Sequence, residues 1–319
     1  MSDLERPIFV VGCARSGTTL VQCILSASSQ AYSLPETHFF SSVLPALDMQ
    51  PSTPLSGPDL RRLLGVLDAE AGLTISAEVL AALEAGAPPT ARDVFVALVD
   101  QFRPPSLALR AIEKTPLHVL HLETIAACFP DARFVNVVRD PIDVISSLLS
   151  VPFSSSRSVL SQAQLWTECV LAARRFSGPI HTLLYEVLVQ QPEATTRELC
   201  AFLDLPFEPA MLEEFGREAS RIVGRAEPWK RDVERGVLLN RQGVWRERLS
   251  PGQAFLAARV TRELRTHFGF DQPVQAPPGS VVAAALGEGR VRFREARATD
   301  GLLGAARHAG SVLKALAAA

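Results

Sequence analysis

The sequence predicts an α/β fold in which a central, mostly parallel β-sheet is flanked by helices. Two observations favour this class: a glycine-containing loop joins a short apolar segment to a helix-like stretch near the amino terminus, and strand-like and helix-like segments then alternate. The 319 residues include 47% hydrophobic and 21% charged residues, with a net charge of -2. This composition predicts a globular protein with a sizeable core, and without the basic excess of a nucleic-acid-binding protein.

Four strand-then-helix units are predicted along the chain. In a parallel sheet built from such units, ligands bind outside the carboxyl ends of the strands. The predicted strands cover residues 9–11, 109–113, 133–138 and 181–185, and the helices that follow them begin at residue 18 or cover 117–128, 141–149 and 192–203.

The first and second units are separated by a Pro- and Ala-rich segment at residues 43–105, which we interpret as a helical insertion that caps the site of an acceptor molecule. A late helix is indicated by Ser250 as its N-cap, Pro251 at its first position and Gly269 near its end. The main domain is therefore expected to cover residues 1–271.

Residues 272–319 are interpreted as a Pro-rich linker followed by a carboxyl-terminal tail. Within the tail, Leu302–Ala318 has the pattern of an amphipathic helix that would bind the domain, a partner or a membrane surface. A loosely packed tail is the favoured alternative.

The loop Gly12–Leu20 has the strand, glycine loop and helix arrangement of a phosphate-binding loop. The lysine that reaches the terminal phosphates of ATP in such loops is replaced here by Thr18. The backbone amides and the positive end of the helix still favour an anion. Arg15 and the neighbouring hydroxyls suit a phosphosulfate, which carries less charge than a triphosphate. The alternative is a chance match to a short motif.

A second candidate contact follows the strand that ends before Arg139. Asp140 and Pro141 have the pattern of a helix start, and Ser147 falls about two turns into that helix. A guanidinium beside a hydroxyl is suited to a terminal phosphate. The alternative is a surface arginine paired with Asp140 or Asp143.

Together, these two motifs resemble the 5′-phosphosulfate loop and the 3′-phosphate motif of sulfotransferases that use 3′-phosphoadenosine 5′-phosphosulfate (PAPS). The resemblance covers most of residues 8–270 and is closer to tyrosylprotein sulfotransferase-like members than to cytosolic small-molecule enzymes. It implies a P-loop NTPase-like sulfotransferase fold with a helical insertion. The residues that it assigns to the donor are Arg15, Ser16, Gly17, Thr18, Thr19, Arg139 and Ser147.

Two further positions match the family less closely. Tyr185 corresponds to a tyrosine often found beside the 3′-phosphate, and the alternative is a core aromatic residue. The segment with Gly243 and Trp245 resembles a late loop that closes over the nucleotide. It departs from the K-x-x-x-G-D-W form of the cytosolic enzymes, so the contacts of both residues stay open.

Sulfuryl transfer requires a base, cations and in-line geometry, and we expect no metal. Glu36 is the expected base: it matches a family glutamate, and apolar Leu34, Phe39 and Phe40 would raise its pKa. His38 is the competing base, because its ordinary pKa is closer to neutral pH.

Lys114 is expected to replace the missing loop lysine and to stabilise the bridging oxygen, with Arg15 as a second catalytic cation. Its alternative is a structural ion pair with Glu113 or a neighbour. Only three lysines occur in the chain, which makes Lys114 conspicuous.

The resemblance therefore implies an enzyme that transfers a sulfuryl group from PAPS to a hydroxyl and releases 3′,5′-adenosine bisphosphate. The apolar insertion favours a small-molecule or lipid-like acceptor over a polyanionic glycan, and a sugar or a protein acceptor stays open. A phosphotransferase with a degenerate loop and a non-catalytic nucleotide-binding protein are the alternatives. No nucleic acid partner and no transmembrane segment are expected, the predicted location is cytoplasmic, and the oligomeric state stays open. The five cysteines form no metal or disulfide pattern.

Overall fold

A computed structural model describes residues 4, 6–105, 109–152, 154, 157–222, 241–292, 294 and 295 of the chain. The described residues form two compact units. Unit 1 takes its residues from Met1–Gly12, Gly17–Val138 and Ala172–Leu239, and unit 2 from Cys13–Ser16, Arg139–Leu171 and Asn240–Ala319.

Unit 1 contains a five-stranded sheet in the order β2-β3-β1-β4-β5, and all neighbouring strands are parallel. The predicted parallel α/β architecture is confirmed. All five residues of β1 are buried, as expected for a strand with helices on both faces. The strands are β1 Ile8–Gly12, β2 Ala31–Ser33, β3 Arg110–Lys114, β4 Arg133–Val138 and β5 Ile180–Leu184.

Two details of the sheet differ from the sequence prediction. Strand β2 was not expected, because three residues are too few to show an alternating pattern. Strand β5 ends at Leu184, and Tyr185 begins a helix instead of completing the strand.

The insertion at residues 43–105 is helical, as predicted. Its longer helices begin at hydroxyl N-caps, including Thr90, which forms a reciprocal capping box with Asp93. Its large apolar residues are mostly buried in the core of unit 1. The first helices of the chain are α1 Thr18–Ser26, α2 Leu44–Leu47, α3 Gly57–Ala71, α4 Ala77–Glu84 and α5 Ala91–Asp100, with a π-helix at Phe39–Val43 before α2.

The remaining helices complete the layers around the sheet and build unit 2. A 3-10 helix at Pro116–His121 precedes α6. In chain order they are α6 Leu122–Cys128, α7 Pro141–Leu148, α8 Val159–Arg175, α9 Tyr185–Gln190, α10 Pro192–Leu203, α11 Ala210–Glu213, α12 Phe215–Ile222, α13 Trp245–Arg248, α14 Pro251–Val260, α15 Arg262–His267 and α16 at residues 278–292.

The late helix starts as predicted, since Ser250 caps α14 in a capping box with Gln253. It is divided at Thr261 into α14 and α15. At that residue ψ is +5°, and the Thr261 hydroxyl donates to the Ala257 carbonyl. Gly269 follows α15 with φ +75°.

The first part of the tail differs from the favoured loose packing, because residues 278–292 form α16. The buried Glu288 carboxylate accepts a 3.1 Å hydrogen bond from the Leu160 amide, and the Glu295 carboxylate accepts a 2.9 Å bond from the Ser158 amide. These carboxylates satisfy amides at the start of α8 that have no partner within the helix. The predicted helix Leu302–Ala318 lies outside the described residues.

Four of the five cysteines are buried and none forms a disulfide. Among the residues that the structure describes, no helix has the length and apolar character needed to cross a membrane.

Candidate active site

The predicted phosphate-binding loop uses backbone conformations that favour glycine. Gly17 has φ +101° and Arg15 has φ +71°, so a non-glycine residue is held in a conformation that costs free energy. A Cβ atom on Gly17 would lie 2.6 Å from Cδ2 of Tyr185. Helix α1 begins at Thr18 without a side-chain cap, so its first amides are left for another acceptor.

The hydroxyl groups of the loop differ in exposure. Ser16 is fully buried, and its Oγ has no hydrogen-bond partner among the described residues. Thr18 is buried as well, whereas Thr19 is half-buried. A buried hydroxyl without a partner is costly, and a polar ligand at the loop would offset that cost.

In unit 2, Arg15 and Arg139 are brought together with Ser147. Arg15 Nε donates a 3.2 Å hydrogen bond to Ser147 Oγ, and Arg139 donates to the carbonyls of Arg15 at 3.4 Å and Arg241 at 2.6 Å. The indole of buried Trp166 donates to the Arg139 carbonyl at 3.1 Å. Two guanidiniums and one hydroxyl therefore lie in one cluster, with Arg139 almost fully buried.

The start of α7 holds this cluster. Asp140 accepts a 2.8 Å bond from the Ile142 amide as N-cap and forms a 3.3 Å ion pair with Arg265. Burial raises the pKa of Asp140 above its ordinary value, although Arg265 and the Ile142 amide act in the opposite direction.

Asp143 is a functional candidate that the sequence indicated only as an ion-pair partner of Arg139. Its carboxylate accepts bonds from the Gly243 amide at 2.8 Å and from the Trp245 amide at 3.1 Å. Gly243 has φ +77°, and the Arg246 guanidinium lies 4.5 Å from the Trp245 ring centre. The late loop is thus fixed to α7, a contact across about 100 residues that no local pattern could predict.

In unit 1, Lys114 and Glu36 form an ion pair, so the structure brings together the two residues predicted for the chemistry. The Lys114 side chain is 2% exposed and that of Glu36 is 17% exposed. His38 Nε2 lies 3.5 Å from the other Glu36 oxygen, and its own side chain is 36% exposed. The alternative partner of Lys114, Glu113, has its carboxylate 2.9 Å from Nδ1 of His118 instead.

The apolar neighbours expected to desolvate Glu36 belong to the core. Phe39 and Phe40 are buried, and each ring centre lies 5.1 Å from that of Phe95. Tyr185 is also buried in an apolar cluster around α1, which favours its alternative as a core aromatic residue. Its ring nevertheless packs directly against Gly17 of the phosphate loop.

Comparisons with known proteins indicate the family to which the chain belongs. A family model described as "Sulfotransferase family" matches residues 7–209. Protein-tyrosine sulfotransferase 1 of Danio rerio is 29% identical over 232 residues, which cover 69% of this chain and 57% of the relative. Protein-tyrosine sulfotransferase of Drosophila melanogaster is 26% identical over 289 residues, which cover 85% of this chain and 52% of the relative. An uncharacterized protein of Aquifex aeolicus is 27% identical over 257 residues, which cover 76% of this chain and 30% of the relative. The chain thus spans about a third to just over half of these relatives.

Solved structures show the same fold. The sulfotransferase domain from the curacin biosynthetic pathway superposes with a TM-score of 0.55 at 21% identity, covering 82% of this chain and 98% of that domain. The sulfotransferase domain of the Synechococcus PCC 7002 olefin synthase superposes with a TM-score of 0.53 at 22% identity, covering 85% of this chain and 98% of that domain. Because the family model matches well over half of its residues, the chain belongs to the sulfotransferase family.

Proposed function

We propose that this protein transfers a sulfuryl group from PAPS to a hydroxyl group of an acceptor. The observation that carries the proposal is the ion pair between Glu36 and the almost fully buried Lys114. It provides a carboxylate and an ammonium within one small volume, as a proton acceptor and a cation for the leaving phosphate require.

The donor contacts proposed from the sequence fit the local geometry. The uncapped start of α1, the left-handed Arg15 and the buried Ser16 hydroxyl suit the 5′-phosphosulfate. The Arg15, Arg139 and Ser147 cluster suits a second phosphate, because guanidiniums bind phosphate through charge-assisted hydrogen bonds. A donor with two separate phosphates accounts for both clusters, and the product would be 3′,5′-adenosine bisphosphate.

In the proposed reaction, Glu36 accepts the proton of the acceptor hydroxyl. PAPS supplies the sulfuryl group: its S–O bond to the 5′-phosphate breaks while the acceptor oxygen forms a new S–O bond, and the electron pair stays on the phosphate. Lys114 stabilises the charge that develops there. The Lys114 ammonium also favours the carboxylate form of Glu36, which is the form able to accept a proton.

His38 remains the alternative base. Its proximity to Glu36 allows a second arrangement in which the imidazole accepts the proton and Glu36 orients the ring. Direct ion pairing with Lys114 favours Glu36 as the base.

Two classes of hydroxyl acceptor are proposed. The apolar insertion favoured a small or lipid-like acceptor, but the burial of its apolar side chains gives that composition a structural explanation. Two of the relatives reported above are named protein-tyrosine sulfotransferases, which supports a tyrosine side chain in a protein as acceptor. A phenolic hydroxyl is common to a tyrosine and to a small phenol. The cytoplasmic location stays a prediction.

The competing proposals are a phosphotransferase and a nucleotide-binding protein without catalysis. Thr18 at the lysine position of the loop disfavours phosphotransfer. An intact Glu36–Lys114 pair disfavours loss of catalysis.

The first experiment is calorimetric titration with 3′,5′-adenosine bisphosphate, and with ATP in the presence and absence of Mg²⁺. Metal-independent binding of the bisphosphate that weakens in R139A supports the donor. A panel of 4-nitrophenol, a tyrosine-containing acidic peptide, a sterol and a sugar, assayed with ³⁵S-labelled PAPS, then identifies the acceptor. Binding of Mg-ATP without binding of the bisphosphate would reject the proposal.

A further inference from the structure

Next to Lys114 in strand β3 lies a buried carboxylate, Glu113, which has no part in the proposed transfer. Glu113 is 1% exposed to solvent. A buried carboxylate is costly unless hydrogen bonds or charges compensate for the lost water. Its partners therefore indicate what the position contributes to the protein.

Four groups surround the Glu113 carboxylate. Oε1 accepts hydrogen bonds from Thr115 Oγ1 at 2.7 Å and Thr37 Oγ1 at 2.8 Å, with the Thr37 amide at 3.4 Å. Oε2 lies 2.9 Å from Nδ1 of fully buried His118. Burial raises the pKa of Glu113, but proximity to His118 and the hydrogen bonds outweigh it and hold the pKa below its ordinary value.

The hydrogen bonds of His118 fix its tautomer. The Phe40 amide donates a 3.2 Å bond to Nε2, so this nitrogen acts as the acceptor. Nδ1 must then carry the hydrogen that is donated to Glu113. A glutamine at position 113 can offer its single carbonyl oxygen to Nδ1, but its NH2 group then faces the Thr37 and Thr115 hydroxyls, which now donate to Oε1.

The network acts on the segment that carries Glu36. The amides of Thr37 and His38 both donate to Thr115 Oγ1, at 3.1 and 3.2 Å. His38 has φ +51°, so the turn after Glu36 is held in a conformation that requires support. Two consecutive residues, Glu36 and Thr37, thus contact two consecutive residues of β3, since Glu36 pairs with Lys114 and Thr37 with Glu113.

We propose that Glu113 is a positioning residue: through Thr37, Thr115 and His118, it holds the turn that keeps the Glu36 carboxylate against Lys114. The inference rests on the proposed function of Glu36 as the base. Side-chain alternation along β3 places Lys114 and Glu113 on opposite faces of the strand, so one strand residue pairs with the base while the other holds the turn behind it.

The test compares E113Q and T37V with the wild-type chain. T37V keeps the shape of the side chain but removes its hydroxyl bond to Glu113. Titration of the Glu36 carboxyl carbon by ¹³C NMR, with the signal assigned from its loss in E36Q, reports the placement of Glu36 without needing an acceptor. We expect the pKa of Glu36 to rise in both variants as the carboxylate moves away from Lys114. His38 is the other titratable neighbour of Glu36, and its titration is monitored in the same experiment.

Turnover provides the second readout. Because small displacements of a catalytic group are costly, we expect kcat for sulfuryl transfer to the best acceptor of the panel to fall by about 10- to 100-fold, with the KM for PAPS changed by less than about threefold. T196V is the matched control in the same unit. Thr196 is fully buried, and among the described residues its hydroxyl has no hydrogen-bond partner, so both readouts should stay at wild-type values.

Folded E113Q and T37V with an unchanged Glu36 pKa and unchanged kcat would overturn the inference. If E113Q does not fold, T37V decides by the same criteria. Failure of the proposed function is distinguishable, because the wild-type chain would then not bind the bisphosphate, or E36Q would turn over like the wild type.

Discussion

Arg15 Nε donates a 3.2 Å hydrogen bond to Ser147 Oγ, which joins the phosphate loop to the second turn of α7. The sequence assigned these residues to opposite ends of the donor. Their direct contact places a loop residue and a helix residue in one polar cluster, with the Arg139 guanidinium bonded to the carbonyl of Arg15.

The first prediction concerns the 3′-phosphate. S147A should weaken binding of 3′,5′-adenosine bisphosphate by about five- to tenfold, because one hydrogen bond to a charged group is lost. Binding of AMP, which lacks the 3′-phosphate, should be unchanged, and calorimetry measures both. S150A in the turn after α7 is the control. Ser150 is exposed, and among the described residues its hydroxyl bonds to the Ser147 carbonyl and, at 3.5 Å, to Arg248. Equal weakening of both ligands in S147A would place the 3′-phosphate elsewhere.

The second prediction separates the two candidate bases. E36Q should lower kcat by about 10²- to 10⁴-fold while leaving bisphosphate affinity within about twofold, because proton transfer is lost but donor binding is not. H38A should lower kcat by less than about fivefold, since His38 is more exposed and only neighbours the carboxylate. Steady-state kinetics with labelled PAPS measures both. The reverse order of the two effects would identify His38 as the base.

The third prediction concerns the loop glycine. G17A should lower the free energy of unfolding by about 1–3 kcal/mol and weaken bisphosphate binding, because φ is +101° and the new Cβ would meet the Tyr185 ring. Urea unfolding and calorimetry give the two values. G65A is the control: Gly65 lies within α3 with open space around it, so alanine should be neutral or stabilise by up to about 1 kcal/mol. Normal stability and binding in G17A would show that the loop tolerates a side chain.

Local signals were sufficient to predict the parallel sheet and the glycine-containing loop between β1 and α1. Strand β4 and the α7 start at Asp140 and Pro141 are encoded within a few residues, by apolar runs and capping groups. Strand β2 and the division at Thr261 depend on tertiary packing and on one hydroxyl bond, which a periodic pattern does not register.

The candidate site could be proposed from the sequence as a set of residues, but its contacts could not be predicted. Lys114 stood out by its rarity and Glu36 by its motif, yet the bonds between Asp143 and the late loop join residues about 100 positions apart. Glu113 was considered only as a partner for Lys114. Side-chain alternation along β3 directs it away from that partner, towards Thr37 and His118.

The last prediction is the pH dependence that Glu113 gives to stability. Its pKa in the folded protein is lowered, because His118 and the hydroxyl bonds outweigh the opposing effect of burial. The unfolded chain, with a glutamate pKa of about 4.3, therefore binds more protons in the window between the two pKa values, and stability rises with pH through that window. The contribution of Glu113 to stability is fully present above the pKa of the unfolded chain and is lost as the pH falls through the pKa of the folded protein.

The stability difference between wild type and E113Q, from urea unfolding at pH 3 to 7, should thus be largest above about pH 5 and shrink on acidification. T196V, which removes no titratable group, should give a nearly constant difference. A constant difference for E113Q as well would mean that the Glu113 carboxylate is not preferentially ionised in the folded state.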